Sequence, residues 1–176
     1  MSTEKTKART FAGGKENLAE LIEATKKIAK ENNWSTEDLM SVFSYETSGT
    51  LEPWVKGPTT RRGEHRGLIQ WGTQEQKDFG VSEDSTITEQ VNAAAKYLLK
   101  RGVKKGDGLL PIYATVLGGN PKAFNVSDEF AGGTPGTAVD KIRDDFPAHI
   151  TQVQGLLKSH EEARNKNKEE VSGTPE

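Results

Sequence analysis

Cysteine is absent from this 176-residue sequence, which excludes disulfide bonds and thiolate metal sites. The three histidines are scattered along the chain and give no zinc-binding pattern, so neither a metal nor another cofactor is expected. No run of 18 apolar residues occurs, so no membrane span is expected, and the N-terminus lacks the apolar centre of a signal peptide. The net charge of −2 gives no broad attraction to nucleic acid.

Large apolar side chains are also scarce at the two ends of the chain. Residues 1–16 and 161–176 are polar and densely charged, which predicts an N-terminal and a C-terminal tail. Residues 17–160 carry a periodic apolar pattern and are numerous enough to form one domain with a hydrophobic core.

Helical periodicity dominates this central region. Apolar spacing together with start and stop residues predicts five helices, at residues 18–33, 35–49, 86–102, 111–119 and 139–157. Pro147 is expected to kink or divide the last of them. Frequent glycines between 50 and 72 predict a hairpin or an irregular lobe of short strands. The predicted fold is therefore mainly α, with a helical core and a small irregular or β lobe.

One carboxylate interrupts the apolar face of the second helix. Leu39, Val42, Phe43 and Glu46 are spaced to share that face, with Glu46 at the helix end. Burial and the negative end of the helix dipole both disfavour the ionised form, and both raise the pKa of such a carboxyl group. A glutamate that keeps its proton near neutral pH suits a general acid. The alternative is a last-turn residue turned into solvent.

Four segments in order resemble the soluble lytic transglycosylase and goose-type lysozyme families, in particular their phage versions. "SYETSG" at 44–49 is similar to the end of the family's catalytic helix, and "GLIQW" at 67–71 to the segment that lines its glycan cleft. "VNAAAKYLLKRG" at 91–102 and "LPIYATVLGGNP" at 110–121 are similar to two later helices. The resemblance implies an α+β lysozyme-like fold with the lobe beside a cleft. It also implies that Glu46 is the catalytic acid.

The same resemblance implies a set of substrate-binding residues, which are Thr47, Ser48, Gly67, Leu68, Ile69, Gln70, Trp71 and Tyr113. Thr47 stands where the family usually has serine, and Ile69 where methionine is common. Gln70 has an amide that suits acetamido and hydroxyl groups, and Trp71 has a face that suits a sugar ring. Trp71 and Tyr113 have an alternative interpretation as core residues.

The implied activity is cleavage of the β-1,4 bond between N-acetylmuramic acid and N-acetylglucosamine in peptidoglycan. A lytic transglycosylase needs one glutamate and forms 1,6-anhydro products, whereas a muramidase, the alternative, needs a second carboxylate. Glu52 and Glu64 lie between the first two motifs and are the candidates for that second group. Glu64 has basic neighbours, so its alternative is an ion-paired surface residue.

The basic run "RRGEHR" at 61–66 has two interpretations, a carboxylate-binding rim and a solvated loop. A nucleic-acid site is not expected from it, because no basic helix accompanies it. The charged tails suggest other virion proteins as partners, which leaves a non-catalytic structural or wall-binding module as a further alternative. A phage particle that acts in the bacterial periplasm or cell wall is the expected setting, after synthesis in the cytoplasm without a signal peptide.

Overall fold

The computed structural model describes residues 15–127 and 135–172, and in these residues the fold is mainly helical with one small β lobe. The helices are α1 Lys15–Asn32, α2 Thr36–Glu46, α3 Thr73–Phe79, α4 Ile87–Arg101, α5 Leu109–Gly118, α6 Ala138–Asp144 and α7 Phe146–Ser172. The strands are β1 Lys56–Thr60 and β2 Gly63–Arg66. None of the described helices combines the length and the apolar character needed to cross a bilayer.

The core lies between two helix pairs, because α1 packs against α4 and α2 packs against α7. Leu21 and Ile22 of α1 and Val91 and Leu98 of α4 are at most 1% exposed, as the periodic apolar spacing predicted. The mainly α fold with a small β lobe is therefore confirmed.

Helix ends follow the local signals in the sequence. Ser35 caps α2, where its hydroxyl accepts a hydrogen bond of 3.1 Å from the Asp38 amide. Thr86 caps α4 in the same way through the Glu89 amide. Gly102 closes α4 with φ of 110°, a left-handed conformation that glycine adopts without strain.

The last predicted helix is divided, and the division lies directly before Pro147. Thr137 begins α6 with a capping box to Asp140, and Asp145 ends it. The next helix starts at Phe146, so Pro147 occupies its first turn, where the missing amide costs no helical hydrogen bond.

Residues 161–172 continue α7, although the sequence predicted a charged tail there. The segment is rich in glutamate, lysine and arginine, which propagate a helix well without a buried face. Contacts with α1 anchor it, since Glu23 accepts bonds from Arg164 at 3.1 Å and pairs with His160 at 2.7 Å. Residues 1–14 and 173–176, also predicted as tail, lie outside the described residues.

The β lobe is an antiparallel hairpin of β1 and β2, with Thr60 paired to Gly63 and a register irregularity between Lys56 and Thr59. The predicted hairpin is confirmed. The short helix α3 follows it and was not predicted, because its residues carry no apolar stripe and none of them is buried.

Candidate active site

A cleft of about 590 Å³ opens between the C-terminal end of α2, the β lobe, and helices α5, α6 and α7. Its lining is Tyr45, Glu46, Thr47, Ser48, Val55, Lys56, Gly57, Pro58, Thr60, His65, Gln70, Tyr113, Leu117, Lys141 and His149. Sequence segments that lie more than 100 residues apart therefore meet in one concave surface. A cleft of this size with polar groups on several sides suits a small or polymeric ligand.

Glu46 is the last residue of α2 and reaches the cleft from the helix end. Leu39, Val42 and Phe43 on the same helix face are each 1% exposed, whereas Glu46 is half-buried. The apolar face therefore ends in the cleft wall at Glu46. The alternative of a glutamate turned into open solvent does not describe this position.

Thr47 holds the turn that follows Glu46. Its hydroxyl donates a hydrogen bond of 2.7 Å to the Phe43 carbonyl and accepts one of 2.8 Å from the Leu51 amide. Ser48 then adopts a left-handed φ of 53°, which exposes it at the cleft. Thr47 thus closes the helix end by satisfying two backbone groups in a buried position.

Replacing Thr47 with Val is expected to lower the free energy of unfolding by about 1–3 kcal/mol, because the buried Leu51 amide loses its acceptor. Thr47→Ser keeps the hydroxyl and is expected to stay within about 1 kcal/mol of the original. Denaturant unfolding of the two variants measures the difference. Equal stabilities would show that the hydroxyl does not hold the turn.

Gln70 faces the cleft from the β lobe in a strained conformation, with φ of 56°. Its Nε2 donates a hydrogen bond of 2.9 Å to the Gly67 carbonyl. The Gln70 side chain also packs directly on Gly57, so that a Cβ atom at position 57 would overlap Gln70 Oε1. Oε1 itself is buried without a hydrogen-bond partner among the described residues. Strain and an unsatisfied acceptor of this kind are frequent at functional sites.

Gln90 of α4 fixes the segment that carries Gln70. Its Oε1 accepts a hydrogen bond of 2.7 Å from the Leu68 amide, and its Nε2 donates one of 2.6 Å to the Pro53 carbonyl. Gly67 approaches this amide so closely that a Cβ would lie 2.5 Å from Oε1. Sequence reasoning missed Gln90, although its place on the apolar face of α4, three residues after Ile87, was a usable signal.

Four residues of the second motif are buried and lie outside the lining of the cleft, which corrects their expected role as substrate-binding residues: Gly67, Leu68, Ile69 and Trp71. Leu68 and Trp71 are 0% exposed and Ile69 is 5% exposed. The Trp71 ring packs 5.8 Å from the rings of both Phe79 and Tyr97. Trp71 therefore has no free face for a sugar ring, and the motif anchors the lobe while Gln70 alone projects into the cleft.

Tyr113 of α5 is 1% exposed and lines the cleft with Glu46. Its ring contacts Tyr45 edge-on at 5.6 Å and Phe146 at 4.7 Å, which locks its orientation. The sequence left a core role and a cleft role open for Tyr113. Its side chain fits both, because it is packed in the core and also forms part of the cleft wall.

Neither candidate for a second carboxylate reaches the cleft. Glu52 is exposed, and Glu64 is ion-paired with Arg66 and lies 3.9 Å from Lys56. Glu64 therefore makes the surface ion pair that its basic neighbours indicated. Among the described residues, Glu46 is the only carboxylate in the lining of the cleft.

The positive charges of the cleft come from lysine, because no arginine of the 61–66 run belongs to its lining. Arg61 and Arg62 are exposed, as a solvated basic loop would be. Lys56 lies at the lobe side of the cleft, and Lys141 of α6 lies at the helical side with 2% exposure. Sequence reasoning missed Lys141, whose position depends on the packing of α6 against α5 and α7.

Two histidines complete the polar lining, and neither was predicted. His65 Nδ1 lies 2.7 Å from the Gln70 carbonyl and Nε2 lies 2.6 Å from the Thr60 hydroxyl, so His65 braces the lobe behind Gln70. His149 of α7 contacts Ser44 through Nδ1 at 2.7 Å. Burial lowers the pKa of His149, and the nearby Asp145 opposes that shift more weakly.

Across residues 15–127 and 135–172, no group of three or more histidine, aspartate or glutamate side chains is arranged to hold a metal ion. Comparison with known proteins identified no matching family, no matching curated protein and no matching solved structure. The arrangement of side chains in the cleft is therefore the main physical basis on which a function can be proposed. It offers one half-buried carboxylate, an amide, a tyrosine and two lysines on one concave surface.

Proposed function

We propose that this protein is a peptidoglycan lytic transglycosylase that cleaves the β-1,4 bond between N-acetylmuramic acid and N-acetylglucosamine, with Glu46 as both acid and base. One observation carries the proposal: Glu46, Gln70 and Tyr113 line one cleft. The family resemblance assigns the acid role to Glu46 and substrate-binding roles to Gln70 and Tyr113. Their meeting was not required by any local sequence pattern.

The proposed reaction uses the carboxyl group of Glu46 twice. Its proton passes to the glycosidic oxygen as the bond from that oxygen to the anomeric carbon breaks, which leaves an oxocarbenium-like centre on the muramic acid residue. The resulting carboxylate then takes the proton of the muramic acid 6-hydroxyl, whose oxygen bonds to the anomeric carbon. A 1,6-anhydro ring forms, Glu46 regains its proton, and no water is consumed.

Among residues 15–127 and 135–172, the number of carboxylates that line the cleft favours the transglycosylase over the muramidase. A hydrolase of the usual kind has two carboxyl groups, about 5–5.5 Å apart if retaining and about 6.5–9.5 Å apart if inverting. Glu52 and Glu64 lie outside the lining of the cleft, and Glu64 is engaged with Arg66. A reaction in which the substrate supplies its own nucleophile needs no second group.

The rest of the lining suits an anionic, hydroxyl-rich polymer. Peptidoglycan carries lactyl and stem-peptide carboxylates, which the exposed Lys56 would meet at the lobe side of the cleft. Gln70 places an amide side chain in the cleft wall, a group that suits acetamido and hydroxyl groups. Ser48 and Thr60 add hydroxyl groups at the edge.

The proposed setting is a phage particle that opens the bacterial wall during entry or lysis. The charged surface of residues 161–171, almost all exposed, would attach the enzyme to other virion proteins. A structural or wall-binding module without turnover is the competing function, and it predicts binding to peptidoglycan with no cleavage.

Mass analysis of peptidoglycan digested by the purified protein tests the proposal. The expected products are muropeptides about one water lighter than the corresponding reducing forms, because the 1,6-anhydro ring forms without hydrolysis. Reducing muramic acid ends would replace the proposal with the muramidase. Binding to intact peptidoglycan without released fragments would replace it with the structural module.

A further inference from the structure

The environment of His149 fixes which of its two ring nitrogens carries the proton. The Gln152 amide is oriented by Gly49, whose carbonyl accepts a hydrogen bond of 2.9 Å from Gln152 Nε2. Gln152 Oε1 therefore faces Ser44 and accepts a hydrogen bond of 2.8 Å from its hydroxyl. The single hydroxyl proton of the buried Ser44 is used in that bond.

Since Ser44 has no second proton, its 2.7 Å contact with His149 Nδ1 requires the ring nitrogen to be the donor. The neutral ring then carries its proton on Nδ1, and Nε2 has an unshared electron pair. No hydrogen bond to Nε2 is found among the described residues, and His149 is part of the cleft lining. The chain of hydrogen bonds from Gly49 through Gln152 and Ser44 thus leaves His149 Nε2 as a hydrogen-bond acceptor at the cleft.

We propose that His149 is a substrate-binding residue whose Nε2 accepts a hydrogen bond from a hydroxyl group of the bound glycan, with Ser44 and Gln152 as positioning residues. This inference rests on the proposed function, because it assigns a carbohydrate hydroxyl as the ligand. It adds a polar contact on the α7 side of the cleft, opposite the lobe that carries Gln70. Edge-on packing of Tyr45 against the imidazole at 5.5 Å keeps the ring in this orientation.

Acid should weaken this contact, because a protonated Nε2 donates and no longer accepts. Asp145 at the end of α6 acts on His149 electrostatically, and Tyr45 of α2 packs against its ring. Glu46 of α2 and Lys141 of α6 are the other charged groups that line the helical side of this cleft. Burial lowers the pKa of His149, so the neutral ring is retained somewhat below the ordinary value of about 6.5. Below the lowered pKa, both glycan binding and the stability that the neutral ring contributes are lost.

Two substitutions test the acceptor role of Nε2 separately from the donor role of Nδ1. His149→Asn keeps an amide donor near the position of Nδ1 and removes the acceptor, while His149→Gln extends an amide oxygen towards the position of Nε2. On purified glycan strands we expect KM to rise about 2- to 10-fold for His149→Asn, with kcat retained, and to recover in His149→Gln. The acid-side rise of KM in the original protein should disappear in His149→Asn.

Nitrogen-15 NMR of the imidazole in the free protein supplies a readout that does not depend on activity. We expect Nδ1 protonated and Nε2 unprotonated near neutral pH, and loss of this preference in Ser44→Ala. Protonation on Nε2 would overturn the inference, and so would an unchanged KM in His149→Asn in a protein that still cleaves glycan. If the original protein neither binds nor cleaves glycan, the proposed function fails and this inference fails with it, whatever the tautomer.

Discussion

Replacing Glu46 with Gln is expected to slow peptidoglycan cleavage by about 10²–10⁴-fold, the usual contribution of a general acid or base. The amide neither gives a proton to the glycosidic oxygen nor takes one from the 6-hydroxyl. Glutamine matches glutamate in size, and the residue lies half-buried at a helix end, so the fold should be retained. Rates of fragment release from purified peptidoglycan and a zymogram measure the loss.

Glu64→Gln is the matched control for this experiment. It removes the same charge from a carboxyl group of the neighbouring lobe that is ion-paired outside the cleft lining. Its rate should stay within about 2-fold of the original, because exposed ion pairs contribute little. Equal clearing by the original protein and Glu46→Gln would remove Glu46 from the mechanism, and a large loss in Glu64→Gln would point to a second catalytic carboxylate.

Replacing Gln90 with Leu should have the largest effect on stability. The buried Leu68 amide and Pro53 carbonyl would both lose their partner, and each unsatisfied group costs about 1–3 kcal/mol. The segment that holds Gln70 would also lose its attachment to α4, so cleavage should fall although Gln90 is not part of the cleft lining. Denaturant unfolding and the cleavage rate, measured on the same preparation, test both effects.

Gln74→Leu provides the comparison, because Gln74 is exposed and its amide bonds only to the exposed Asp78 within its own helix. Its unfolding free energy should change by no more than about 0.5 kcal/mol, as for most surface substitutions. If Gln90→Leu and Gln74→Leu behave alike, the polar attachment of the lobe does not matter for either stability or activity.

Features that depend on neighbours in sequence were predictable. The Ser35 and Thr86 caps and the break before Pro147 each arise within one helical turn, so local chemistry determines them. The face shared by Phe43 and Glu46 follows from the helical repeat alone. The continuation of α7 to Ser172 was missed because charged helix formers without an apolar stripe look the same in a tail and in a solvated helix.

Features that depend on distant contacts were not predictable. The sequence left a cleft position and a core position open for Trp71, and the structure has the core position, because a left-handed turn at Gln70 directs the next side chain inward. His149 lies 105 residues from Ser44, so nothing in the local sequence indicates their hydrogen bond. Lys141 depends in the same way on how α6 packs. The helical pattern alone could place Glu46 at the end of the apolar face, whereas the groups that surround Glu46 required the folded chain.

A crystal structure of the Glu46→Gln protein with a bound peptidoglycan tetrasaccharide would test the central claim most directly. The expected result is a glycan chain along the cleft, with a glycosidic oxygen within about 3 Å of the amide at position 46 and sugar polar groups on Gln70. A glycan bound elsewhere, or one whose glycosidic oxygens all lie far from position 46, would contradict the assignment of Glu46 as the proton donor.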